Sequence, residues 1–165
     1  MSLRNPANIG THFQYGQGLQ FLDNQALIVP YADINPYGGF IDVFDLSANF
    51  SKIQTLQLEN IPYAVASNEN LVAVGSKFSG ENPFGGPNNS RGQINIYEFV
   101  YGQGLVFGRN ITNQFPNRDI FGVGLSFTST YAVISDNQTT YAYQVNGSQW
   151  TYSHTIEYAN PAVRV

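Results

Sequence analysis

Hydrophobic residues in this chain fall in short runs rich in Val, Ile, Phe and Tyr, and Gly, Asn and Pro punctuate them. The recurrence at i, i+3 and i+4 that marks an amphipathic helix is nearly absent, and the pattern is that of strands and turns. The runs also repeat. Tyr15-Gly16-Gln17-Gly18-Leu19-Gln20-Phe21, followed by Leu22-Asp23-Asn24 and Ala26-Leu27-Ile28-Val29, matches Phe121-Gly122-Val123-Gly124-Leu125-Ser126-Phe127, followed by Thr128-Ser129-Thr130 and Ala132-Val133-Ile134. The glycines, Leu, Phe, Ala and Ile coincide without a gap. A middle copy runs Tyr63-Ala64-Val65-Ala66-Ser67, Asn68-Glu69-Asn70 and Leu71-Val72-Ala73-Val74-Gly75.

Each copy continues to a third strand: Gly39 to Phe44, Gly92 to Tyr97, and Thr139 to Tyr143. A polar turn and a fourth strand follow: Ser51 to Leu58, Leu105 to Ile111, and Trp150 to Tyr158. The third of these turns contains Asn146-Gly147, the strongest dipeptide signal for a tight hairpin. The expected organisation is an arm at 1–14, one domain at 15–158 with units at 15–58, 61–112 and 119–158, and a tail at 159–165. The fold class is all-β, with three four-stranded antiparallel units. The loop between second and third strands varies most, from Lys77–Arg91 in the second unit to Asp136–Gln138 in the third. Repeats of this kind present such loops on one face.

Phe121-Gly122 before the Tyr131-Ala132-Val133-Ile134 strand, the Tyr141-Ala142-Tyr143 strand, and Asn146-Gly147-Ser148-Gln149-Trp150 resemble an FG-GAP repeat, the blade of the integrin α-head type of β-propeller. Tyr15-Gly16 holds the same place in the first unit, and Ile61-Pro62 replaces the pair in the second. The resemblance implies propeller-like blades. Propellers close with about 4–8 blades. Three units therefore imply pairing with a second copy, docking on a larger assembly, or membership of a longer chain. A β-trefoil, also three units of four strands, is the alternative fold. The resemblance does not extend to calcium loops. The turns Leu22-Asp23-Asn24, Asn68-Glu69-Asn70 and Thr128-Ser129-Thr130 carry one acid at most, and a hard cation wants six to eight oxygens. Asp33-Ile34-Asn35-Pro36-Tyr37-Gly38 opens like a calcium loop, but Phe44 stands where the closing carboxylate belongs.

Composition narrows the function classes. Charged residues are 11% of the 165, against about 25% in an average soluble chain, and aromatics are 15%. The net charge is -4 with only Lys52 and Lys77 as lysines, so no basic face for nucleic acid is visible. No cysteine is present. No signal-like stretch stands at the N-terminus, and no apolar run approaches the ~20 residues of a membrane helix. The chain therefore reads as soluble, its compartment unspecified and a virion or other particle surface among the options.

His154 reads as sharing a strand face with Trp150 and Tyr152, and His12 lies in the arm. Two histidines without cysteine do not make a zinc site. Asp119, Asp136 and Glu157 could converge for glycoside chemistry, but nothing around them marks a catalytic pair. Asn49, Asn88, Asn110, Asn137 and Asn146 begin Asn-x-Ser/Thr triplets, read here as composition. The expectation is a non-enzymatic module with no cofactor and no metal. It would assemble through its blade faces with itself or another protein, with glycan binding as the alternative. The expected terminal faces carry Ile28, Ile41 and Val43 at one end and Tyr141, Tyr143 and Trp150 at the other. The expected partner contacts are Phe78, Phe84, Tyr37, Tyr101, Tyr143 and Trp150, with Tyr37, Tyr101 and Trp150 as sugar-stacking rings in the glycan reading.

Overall fold

The computed structural model describes residues 12–13, 18–23, 25–34, 37–77, 92–112, 121–136 and 139–156. The described residues form thirteen strands and no helix. The first sheet holds β1 (His12–Phe13), β2 (Gln20–Leu22), β3 (Ala26–Ile34), β4 (Tyr37–Asp45) and β5 (Ser51–Leu58). β1 and β2 pair with successive parts of β3. The second sheet holds β6 (Ile61–Asn68), β7 (Leu71–Lys77), β8 (Gln93–Val100) and β9 (Gly104–Thr112). The third holds β10 (Gly124–Phe127), β11 (Tyr131–Ser135), β12 (Thr140–Asn146) and β13 (Gln149–Ile156). Every pairing is antiparallel between sequence neighbours, apart from β1 with β3. A β-trefoil needs a barrel hydrogen-bonded between units. Among the described residues no strand pairs outside its own sheet, so the trefoil alternative does not hold.

The sheets stack in chain order. Ala26, Ile28, Ile41 and Val43 of the first meet Val65, Val72, Val74, Tyr97 and Phe99 of the second. The opposite face of the second, with Ala73, Ile94 and Ile96, meets Phe121, Phe127, Ala132, Ile134, Tyr141, Tyr143 and Trp150 of the third. The middle sheet is therefore apolar on both faces, which explains the unbroken run Leu71-Val72-Ala73-Val74. β2, β6 and β10 adjoin one another along one edge of the stack, and β5 adjoins β9 along the other. Polar clasps tie these edges. The Ser67 hydroxyl donates to the Phe21 carbonyl at 3.1 Å, and the Gln54 side chain pairs with both backbone groups of Leu105 at 2.7 and 3.1 Å.

The register shows how deep the repeat runs. Each fourth strand carries a β-bulge at one equivalent place: opposite Val43/Phe44, Ile96/Tyr97 and Ala142/Tyr143. That equivalence sets Ala26, Leu71 and Tyr131 in the same position, opposite Asp45, Glu98 and Gln144. The gapless alignment of Ala26 with Ala132 is therefore off by one residue from the turn onward. Three residues separate the paired Leu22 and Ala26, whereas two separate Asn68 from Leu71. One extra turn residue reverses every later side chain of a strand. Ala26 and Ile28 accordingly point forward to the second sheet, while Ala132 and Ile134 point back to it.

The bulge also corrects the placing of His154. Trp150 and Tyr152 pair with Val145 and Tyr143 on the buried face. The extra residue Ser153 turns His154 to the opposite face, across from Ala142. In the third polar turn the central residues are Gly147 and Ser148, between the paired Asn146 and Gln149. Only Gly147 has positive φ, +57°, so Asn146 closes the hairpin instead of sitting at its tip.

Two glycines set how closely consecutive units approach. Gly39 and Gly92 open equivalent third strands, and the chain entering the next unit crosses directly over each. A methyl group on Gly39 would overlap the Asn60 carbonyl oxygen, and one on Gly92 would overlap Phe121 backbone atoms. Phe121, delivered by that crossing, is buried against the rings of Tyr141 and Tyr143 at 5.7 and 6.5 Å.

Candidate interaction surface

In a stack of three sheets two faces have no following sheet, and here they differ. The outer face of the first sheet carries Leu27, Val29 and Phe44 with the stacked rings of Tyr31 and Phe40. Its centre is buried, Leu27 and Val29 being 2% and 1% exposed, while Phe21, across from Leu27 on β2, is 62% exposed at its edge. Asp42 lies on the same face, across from Val29. Its carboxylate accepts the Thr55 hydroxyl at 2.6 Å and faces the Lys52 ammonium at 3.5 Å.

The outer face of the third sheet is open. Its cross-strand rows are Tyr131–Gln144–Thr151, Val133–Ala142–His154 and Ser135–Thr140–Ile156. Tyr131, Val133 and Ile156 are 60%, 40% and 42% exposed. Asn146 and Gln149 extend the first row towards the turn. With Thr130, Tyr131, Gln144 and Thr151 they line a shallow groove of about 380 Å³. The Gln149 side-chain oxygen accepts from Arg109 of the second sheet at 2.5 Å, which holds that amide in place. Between Asp119 and Glu157 the sequence holds one charged residue, Asp136. It is buried, accepting the Tyr141 hydroxyl and the Thr139 backbone N–H, each at 2.7 Å. The open face thus has Val133, Ala142 and His154 at its centre and an amide and hydroxyl border, with no Asp, Glu, Lys or Arg among its described residues. Such charge depletion with aromatic content marks the core of protein interfaces.

The expected contact residues scatter. Tyr143 and Trp150, 1% and 4% exposed, are spent inside the chain between the second and third sheets. Trp150 packs on Phe127 at 4.9 Å and Tyr143 on Tyr152 at 5.8 Å. Ile28, Ile41, Val43 and Tyr141, expected on terminal faces, are likewise inter-sheet core. The physical reason is parity: the residues that look most apolar in each strand are the ones already covered by the neighbouring sheet. Tyr101 is exposed on the turn before β9, its hydroxyl 3.3 Å from that of Ser47. It lies on the second unit, away from the open face. Tyr37 pairs with Ile34 at the start of β4, and its side chain lies outside the described residues. Phe78 and Phe84 also lie outside them, as do Asp119, Glu157 and the side chains of His12 and Asp33. Tyr131 and Val133 were missed. Their signal was the alternation of β11, in which Tyr131 and Val133 take the side opposite Ala132 and Ile134.

Two inner-face tyrosines give a pH signature. Burial pushes the Tyr97 hydroxyl up from 10.0 to about 12; the Glu59 carboxylate adds to this and the Asn95 side chain opposes it. Burial likewise pushes Tyr143 up to about 12, reinforced by Tyr141 and Tyr152. The unfolded chain loses these protons first, so the stabilising term is complete below about pH 10 and is lost as pH rises towards 12. Denaturant midpoints should fall steeply over that window, and the double substitution Tyr97→Phe with Tyr143→Phe should flatten the fall. An equal fall in the double variant would assign it to other groups.

Comparison with protein-family models and with curated proteins gives no match. The fold and the surface define an all-β module of three sheets, the third with an open outer face that bears no Asp, Glu, Lys or Arg among the described residues. No helix among the described residues is long and apolar enough to cross a membrane.

Proposed function

We propose that the chain is a non-enzymatic assembly and recognition module that works through the open face of its third sheet. One observation carries this reading: that face is open across its middle and bears no Asp, Glu, Lys or Arg among the described residues, whereas the outer face of the first sheet is covered at its centre and the remaining faces pack between sheets. A neutral sheet face can be buried without desolvating ions, which is the costly part of most surface burial. The fan of sheets, with β2, β6 and β10 along one edge, supports reading the units as propeller-type blades. On that reading the open face is where a further blade-like protein surface seats. The low charge and abundant amides fit an assembly on a virion or other particle surface.

The groove favours a second reading, a neutral glycan. Tyr131 offers a stacking ring, and Gln144, Asn146, Thr130 and Thr151 offer amide and hydroxyl groups. Titration calorimetry with neutral oligosaccharides discriminates between the two.

The assembly reading is tested by sedimentation of fluorescently labelled chain in an extract of its source. The chain should sediment faster than an 18.2 kDa monomer. Val133→Arg should return it to monomer without changing its melting temperature by more than about 2 °C. Monomeric sedimentation of the unaltered chain, or identical sedimentation of the Arg variant, overturns the reading.

A further inference from the structure

The open face admits a more definite statement, which rests on the assembly reading above. We infer that its occupant is a second copy of this chain, seated third sheet on third sheet about a two-fold axis. A ring closed head to tail would need the outer face of the first sheet to receive the third sheet of the partner copy. The centre of that receiving face is already covered, with Leu27, Val29, Tyr31 and Phe44 buried, while Phe21 is exposed at its β2 edge. One open face per chain gives a closed pair rather than a ring or a filament.

Charge points the same way. Two copies of a chain with net charge -4 repel, unless they meet where neither carries charge. The described part of the third sheet is that place, since its one Asp, Glu, Lys or Arg, Asp136, is buried on the far side of the contact, bonded to Tyr141 of the inner face. The border is self-complementary as well. The Gln144, Asn146 and Gln149 amides, with the Thr151 hydroxyl, both donate and accept, so the same groups can pair across a two-fold axis.

The size of the face sets the strength. Four strands about 4.8 Å apart, with about seven residues at 3.3 Å each along the strand, make a face of roughly 19 by 23 Å. That lies at the low end of specific interfaces, so a dissociation constant of the order of 1–100 μM is expected.

The test uses the absence of native cysteine. Purified chain is followed by sedimentation velocity from about 1 to 500 μM, spanning that constant. In parallel, Val133→Cys and Phe107→Cys, each the sole cysteine of its variant, are oxidised at about 50 μM. Phe107 is exposed on β9 of the second sheet, away from the contact. The expected result is a monomer–dimer equilibrium, with at least tenfold more disulfide dimer from Val133→Cys than from Phe107→Cys. A dimer in which mixed Val133→Cys and Phe21→Cys chains cross-link preferentially would show head-to-tail contact and overturn the two-fold arrangement. Purified chain that stays monomeric at every concentration excludes a second copy as occupant. If labelled chain still sediments fast in extract and Val133→Arg abolishes this, the assembly reading survives that exclusion.

Discussion

Tyr143→Asp is expected to unfold the chain, not merely to loosen its association. Tyr143 is buried between the second and third sheets, in ring contact with Phe121 and Tyr152. Losing a buried large side chain costs about 1.5–3 kcal/mol, and each aromatic contact adds about 0.5–1.5 kcal/mol. An unpaired carboxylate in the same space adds several kcal/mol more. The sum approaches the net stability of a typical domain, about 5–15 kcal/mol. Trp150 sits in the same cluster, so its fluorescence reports the loss. The variant should show a solvent-exposed emission maximum and no cooperative denaturant transition. Tyr143→Phe, which keeps the ring, should retain a cooperative transition. A folded, cooperative Asp variant would mean that this part of the stack is not the core. The expectation from sequence, that Tyr143 faces a partner and that its change weakens association more than folding, is reversed by this placement.

Gly92→Ala should produce the second large effect through a single methyl group. No Cβ fits at Gly92 because Phe121 backbone crosses that point. The neighbour is main chain and cannot swing away like a side-chain end, so relief requires lifting Phe121 out of its pocket between Tyr141 and Tyr143. Overpacking of this kind costs about 1–3 kcal/mol, and partial loss of the Phe121 anchor raises it towards about 4 kcal/mol. Gly102→Ala is the contrast: it has open space around it, and its cost is the strain of a φ of +77°. A denaturant midpoint for Gly92→Ala no lower than that of Gly102→Ala would show that the crossing of Phe121 over β8 is not a tight contact. Gly39→Ala, under Asn60, should behave like Gly92→Ala, since both glycines receive the chain entering the next unit.

Much of this architecture was legible along the chain. Turn residues and short β-branched and aromatic runs located twelve strands in three groups of four, because pairing with sequence neighbours is local and leaves its signal in alternation and turn chemistry. The placement of Phe44, Tyr97 and Tyr143 at equivalent points of the third strands was also readable, as each ends an apolar third strand before a polar turn. Facing was not. One additional residue in the 23–25 turn, and one bulge in each fourth strand, reverse which side chains point forward, and neither leaves a distinctive residue type behind. Nor could the sequence show that the first sheet has its outer face covered while the third does not. Apolar residues are alike in composition whether a neighbouring sheet or solvent lies over them. Only the stacking order decides that Tyr143 and Trp150 are core and that Tyr131 and Val133 are surface.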